Sequence, residues 1–226
     1  MNERIEPFSA EQMDFLNEMV NVGACNAATA LAQVLQCRVN TVLAEVSVVT
    51  DAPKLHSLDD PSTPVTCAKM NMVGDATGDL LFVVPADQME KFVLLTGRAT
   101  PGADQSQRAA MAEARRRESA DSIVAEMGNI AAGVYLRAIY DFCGLTMYHT
   151  VPDTASDMLQ AILDESLAKL SGGAQYIVVL KCVYAADPVG GEGIRTFMLI
   201  IPSADSARLL ASSMGQARQA MLRDEG

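Results

Sequence analysis

Asp14, Glu18 and Asn21 stand at i, i+4 and i+7, and Ser122, Glu126 and Asn129 repeat that spacing 108 positions later. At about 100° per residue, each trio falls within about 60° of helix surface, a single narrow stripe. The next position along the stripe is small in both cases, Cys25 in one and Gly133 in the other, which leaves room for something to approach the helix closely. The chemistry open to Glu and Asn at this spacing is limited. A carboxamide is both donor and acceptor, so it can hold a water molecule in line with a phosphorus atom. A carboxylate can anchor a partner's lysine or arginine through a charge-assisted contact. Glycoside cleavage needs a second acid on the same face, which the stripe of Ser122, Glu126 and Asn129 does not have. Nucleophilic catalysis needs Ser or Cys with a base, and neither stripe contains His. The combination suits a protein that inserts an amide into another protein's phosphoryl site. Spacing alone leaves a second reading open. An exposed Glu is ordinary solvation, and a mid-helix Asn, a weak helix former, can bridge neighbouring backbone.

The elements that must carry these stripes come in two rounds. Glu18/Glu126, Met19/Met127, Asn21/Asn129, Ala24/Ala132 and Ala30/Ala138 are identical at the same offset, and Leu80–Pro85 resembles the segment from Met198 to Pro202. Each half opens with a long helix rich in Ala and Leu, expected over 9–36 and 109–143, with Ser9 and Gln12 forming a capping box at the first. Strands rich in Val, Ile and Leu are expected over 38–50, 64–74 and 78–84, then over 145–152, 174–186 and 193–201. Gly74-Asp75 and Gly190-Gly191 mark hairpin turns. Pro85-Ala-Asp87 and Pro202-Ser-Ala-Asp205 start a closing helix in each half. Residues in excess in the second half are placed in 153–170, as a short inserted helix.

The fold class expected is α+β: two α-β-β-β-α units, about 9–98 and 109–223, joined by a polar connector at 99–108. Three strands cannot cover a core alone. The halves are therefore expected to share one continuous sheet with helices packed on it, related by a pseudo-twofold axis, as a single domain over 1–226.

The 226 residues are 50% hydrophobic and 20% charged, an ordinary globular balance. The net charge of -11 leaves little basic charge for a nucleic-acid face or for an anionic membrane surface. No apolar run reaches the roughly 18 residues that span a bilayer. The opening Met1–Gln12 has no basic segment followed by an apolar one, so a secretory signal is not expected. Five cysteines without CxxC spacing read as reduced thiols in a cytoplasmic protein, and two distant histidines, His56 and His149, make no zinc pattern.

The two stripes and their flanks, Asn21-Val-Gly-Ala-Cys-Asn-Ala-Ala-Thr-Ala-Leu and Gly128-Asn-Ile-Ala-Ala-Gly-Val-Tyr-Leu, resemble the CheC/CheX/FliY family, phosphatases of the phosphorylated chemotaxis response regulator CheY. The family pattern is [Asp/Ser]-x3-Glu-x2-Asn with a proline some 22 or 23 residues later. The likeness spans nearly the whole chain. Two copies of the motif point to the CheC branch, since CheX carries one. FliY would continue into a flagellar-switch domain, and FliM-type proteins share the architecture without the Glu/Asn stripe. The distal proline is present as Pro152 in the second half, whereas the first half has Ala44, which ranks the second stripe above the first.

The resemblance implies a hydrolase of chemotaxis signalling in the cytoplasm. Glu18 or Glu126 would pair with a lysine near the receiver's phosphoaspartate, and Asn21 or Asn129 would orient the attacking water. Asp14 and Ser122 are supporting residues. The magnesium ion would belong to the phosphorylated partner, with no metal or cofactor held by this chain. A second partner, the receptor deamidase CheD, is also implied. The competing class is a non-enzymatic adaptor binding a receiver domain, CheD or the flagellar switch. Other features read as structural: Arg115-Arg116-Arg117 as a solvated cluster, the methionines as core filler, Gly190–Gly193 as a turn, and 51–64 as a mobile crossing.

Overall fold

The computed structural model describes residues 8–35, 37–51, 54–55, 59–95, 107–171, 176–186 and 193–224. Helix α1 (Ala10–Leu35) begins with the reciprocal cap that its sequence implies. The Ser9 amide donates to Gln12 Oε1 at 2.8 Å, and the Gln12 amide donates to Ser9 Oγ at 3.2 Å. Two of the amides left without helical partners at a helix start are satisfied in this way. Strand β1 (Val39–Val49), the hairpin of β2 (Pro64–Gly74) and β3 (Gly78–Pro85), and helix α2 (Ala86–Leu95) complete the first half. The hairpin turn needs its glycine: Gly74 has φ 118°, and a Cβ there would stand 2.4 Å from the Thr146 carbonyl oxygen.

The second half opens with α3 (Gln107–Cys143), starting two residues earlier than the sequence suggests. Then come β4 (Met147–His149), β5 (Asp153–Met158), α4 (Leu159–Ser171), β6 (Ile177–Ala186), β7 (Ile194–Pro202) and α5 (Ala204–Asp224). Helix α4 falls where the insertion was expected, and Ser203 caps α5 through its hydroxyl and carbonyl. The expected single strand over 145–152 is corrected: it stops at His149 and resumes as β5. Pro152 sits in the gap, and a proline has no amide to give to a ladder. The Gly190-Gly191 turn, the connector up to residue 106 and the side chains of Arg115–Arg117 lie outside the described residues.

All seven strands join one antiparallel sheet, in the order β1-β6-β7-β3-β2-β4, with β5 also paired to β2. Taking β1 with β4/β5, β2 with β6 and β3 with β7, the order reads alike from either edge. Each half lends its first strand to the hairpin of the other, which supports the reading of a duplicated, two-fold arrangement on a continuous sheet.

Alternation along the central strands divides the interior in two. Leu80, Phe82 and Val84 of β3 and Met198 and Ile200 of β7 face a core shared with α1, α3 and α5, while Leu81, Val83, Phe197, Leu199 and Ile201 face a second core closed by α4. Both faces being covered, β3 and β7 are near-continuous apolar runs. Met19, Met70, Met72, Met127, Met147, Met198 and Met214 are all buried, in keeping with filler use. Of the 51–64 crossing, residues 51, 54–55 and 59–64 are described. Leu55 is fully buried in the second core and Asp59 pairs with Arg195 at 3.0 Å. Burying a leucine is worth roughly 1.5–3 kcal/mol, which holds Leu55 against the sheet.

Candidate functional site

Both stripes lie on long helices whose opposite faces are sunk in the first core. On α1 the buried residues Phe15, Leu16, Met19, Val20 and Ala24 interleave with exposed Asp14, Glu18, Asn21 and Cys25. On α3, Ile123, Val124, Met127, Ala131 and Ala132 are buried while Ser122, Glu126, Asn129 and Gly133 are exposed. A 3.6-residue period with this phase leaves the polar stripe no direction but outward. Within each trio the carboxylate and the amide are about one helical turn apart, on the order of 5 Å of rise.

The alternative in which these asparagines bridge backbone can be compared with a residue that does so. Asn17, also on α1, donates its side-chain amide to the Met13 carbonyl at 2.9 Å. Among the described residues, neither Asn21 nor Asn129 makes a side-chain hydrogen bond. Both carboxamides are exposed.

Two glycines set how deeply the helices lie, and neither was singled out from the sequence. A Cβ at Gly128, the residue before Asn129, would stand 2.9 Å from Ala68 Cβ and 3.1 Å from Phe82 Cβ. The α3 backbone therefore rests on β2 and β3 at the root of its stripe. A Cβ at Gly23 would stand 2.8 Å from Tyr135 Cδ1, so α1 meets α3 two residues past Asn21. The available signal was a Gly inside a helical pattern, which costs helix propensity and implies a close approach. Which surface approached was tertiary information.

The space over Gly133 is also not as the sequence suggested. His149, on the core-facing side of β4 and paired with Met72, puts Nε2 3.5 Å from where a Gly133 Cβ would be. The small residue seats an imidazole of the same chain and still leaves an open notch. In the first half, Thr41 holds the matching place and donates its hydroxyl to the Ala24 carbonyl at 3.0 Å. Further along α3, Arg137 pairs with Asp141 at 2.8 Å and lies over the Tyr140 ring.

The thiols of Cys67, Cys143 and Cys182 are unsuited to nucleophilic chemistry. Burial pushes Cys67 up to about 12 and Cys143 up to about 11, and it also raises Cys182. Cys25 alone of the five is exposed; Cys67 and Cys182 are buried, and Cys37 and Cys143 are partly so. Among the described residues, no group of three or more His, Cys, Asp or Glu side chains is arranged to hold a metal ion. No helix among them is long and apolar enough to cross a membrane.

The chain is 31% identical to the CheY-P phosphatase CheC of Bacillus subtilis (strain 168) over 207 residues, 91% of this chain and 94% of that protein. The chain belongs to the CheC family. No family model matches the sequence. Solved structures show the same fold across a wider set. FliY of Thermotoga maritima superposes with a TM-score of 0.62 at 13% identity, over 93% of this chain and 98% of that one. The FliM middle domain from H. pylori does so with a TM-score of 0.54 at 12% identity, over 91% and 99%. The CheC relationship thus rests on sequence over nearly the full length, while the likeness to FliY and FliM is one of architecture.

Proposed function

We propose that this protein is a phosphoaspartate phosphatase acting on a phosphorylated CheY-type receiver domain, as the name of its Bacillus subtilis relative describes for that protein. The observation that carries the reading for this chain's own residues is the pair of outward, unbonded carboxamides, Asn21 and Asn129, each three residues after an exposed glutamate.

In this reading the α1 or α3 stripe docks on the receiver, and Glu18 or Glu126 pairs with a receiver lysine. The Asn21 or Asn129 carboxamide accepts from and donates to a water molecule and holds it in line with the phosphorus. The water oxygen forms the new P–O bond as the acyl P–O bond breaks, releasing inorganic phosphate and the receiver's aspartate carboxylate; the water's proton leaves to solvent or phosphate. A magnesium ion held by the receiver would neutralise phosphoryl charge, and this chain supplies position. Acyl phosphates are already labile, so orientation is enough. One orienting group contributes on the order of ten- to thousandfold in rate. Asp14 and Ser122 extend the docking stripe by one turn.

The FliM-like architecture keeps a binding-only adaptor as the rival. Decay of a phosphorylated receiver, measured with and without the protein, separates them. Acceleration at substoichiometric protein is expected. Unchanged decay at saturating protein, with binding still measurable, would overturn the enzyme reading.

A further inference from the structure

His149 is unlike the other side chains near the stripes. Its Nδ1 lies 3.0 Å from the Thr150 carbonyl, an oxygen that can only accept, so Nδ1 carries a proton. In the neutral ring Nε2 is then the acceptor. That nitrogen borders the notch over Gly133, where a Cβ would meet no other element within 4 Å among the described residues. Gly133 is exposed and one helical turn beyond Asn129. A ligand lying along the stripe thus passes from carboxylate to carboxamide to imidazole. At the first stripe the residues 108 positions earlier differ: Thr41 donates its hydroxyl to the Ala24 carbonyl, and Cys25 carries a side chain where Gly133 has none.

We propose that His149 is a docking residue of the second stripe, its Nε2 hydrogen-bonding the receiver that the Asn129 amide serves, with Gly133 keeping the notch open for that contact. The inference rests on the phosphatase reading above and assigns the stronger site to the second half for a reason separate from Pro152. His149 acts on affinity, since its nitrogen lies a turn away from the amide that orients water.

The test uses the full chain in two backgrounds, Asn21→Ala, which leaves only the second stripe, and Asn129→Ala, which leaves only the first. The substrate is a CheY-type receiver phosphorylated from a small acyl phosphate. In the Asn21→Ala background, His149→Ala is expected to raise KM about tenfold and to leave kcat within about twofold, the size expected for one lost hydrogen bond. His149→Gln, which keeps a polar end, recovers most of that loss. In the Asn129→Ala background, where turnover comes from the first stripe, His149→Ala does not raise KM. Gly133→Ala supplies a readout that a structural role would not give. It raises the thermal midpoint, because alanine favours a helix interior over glycine, and it raises KM by filling the notch. An unchanged KM for His149→Ala in the Asn21→Ala background, or equal losses in both backgrounds, overturns the proposal. If the parent protein does not accelerate decay at all, the phosphatase reading fails instead. The contact is then read from receiver Kd in the same variants, where no change overturns it.

Discussion

Thr41 bonds the Ala24 carbonyl at the seam between α1 and β1, whereas His149, its counterpart 108 positions later, lies over Gly133 at the seam between α3 and β4. The strands differ as well. β1 runs unbroken from Val39 to Val49, with a register shift between Thr41 and Leu43, while its counterpart is split into β4 and β5 around Pro152. The same helix-on-strand plan therefore carries one closed seam and one open one. The stripe of Glu and Asn residues can be repeated without the surroundings that use it being repeated, so equal motifs need not make equal sites.

The comparison breaks most readily on the amides. Asn129→Ala is expected to slow receiver dephosphorylation tenfold or more and Asn21→Ala by clearly less, measured as phosphoreceiver decay under saturating conditions. Equal losses would contradict the ranking of the second stripe.

The part of this picture that was legible in the sequence followed from periodicity and local chemistry. The capping box at Ser9, the outward phase of both stripes and the apolar runs of β3 and β7 depend on neighbours in the chain. Strand β5 was missed because Asp-Thr-Ala-Ser-Asp-Met has no apolar alternation. It is a polar edge segment that becomes a strand by pairing with β2, Thr154 opposite Ala68 and Ser156 opposite Thr66. Leu55 looked like loop because its burial depends on a sheet face assembled from both halves. The seat of His149 was hidden for the same reason: β4 meets α3 only after β2 has brought it there.

A second difference concerns how the helices are set. Gly128→Ala would push α3 off Ala68 and Phe82 and is expected to lower stability by roughly 1–3 kcal/mol in denaturant unfolding, the usual cost of overpacking. Gly23→Ala presses on the Tyr135 ring instead and is expected to cost less, since a ring can shift more readily than strand Cβ atoms. The reverse order would show that α1, not α3, is the more tightly seated helix.

Cys25 sharpens the contrast at smaller scale. Alkylating this exposed thiol is expected to slow the first stripe several-fold in the Asn129→Ala background and to leave the second stripe unaffected in the Asn21→Ala background. At about pH 8, buried Cys67 and Cys182 should resist the same reagent. Their environment also predicts an alkaline limit shared by both halves. Burial raises Cys67 from 9.0 to about 12 and raises Tyr135 and Tyr184. A group whose folded pKa exceeds its unfolded one stabilises the fold fully below the unfolded value, and that contribution is lost as pH rises through the folded value. Thermal midpoints should be flat up to about pH 9 and fall above it, with a shallower fall in Cys67→Ala.

The proposal that two outward carboxamides perform the dephosphorylation is decided by the double variant Asn21→Ala/Asn129→Ala. Phosphoreceiver decay and receiver binding are measured on the same sample. Binding is expected to persist while decay returns to the receiver's spontaneous rate. Decay that remains as fast as with the parent protein would contradict the proposal.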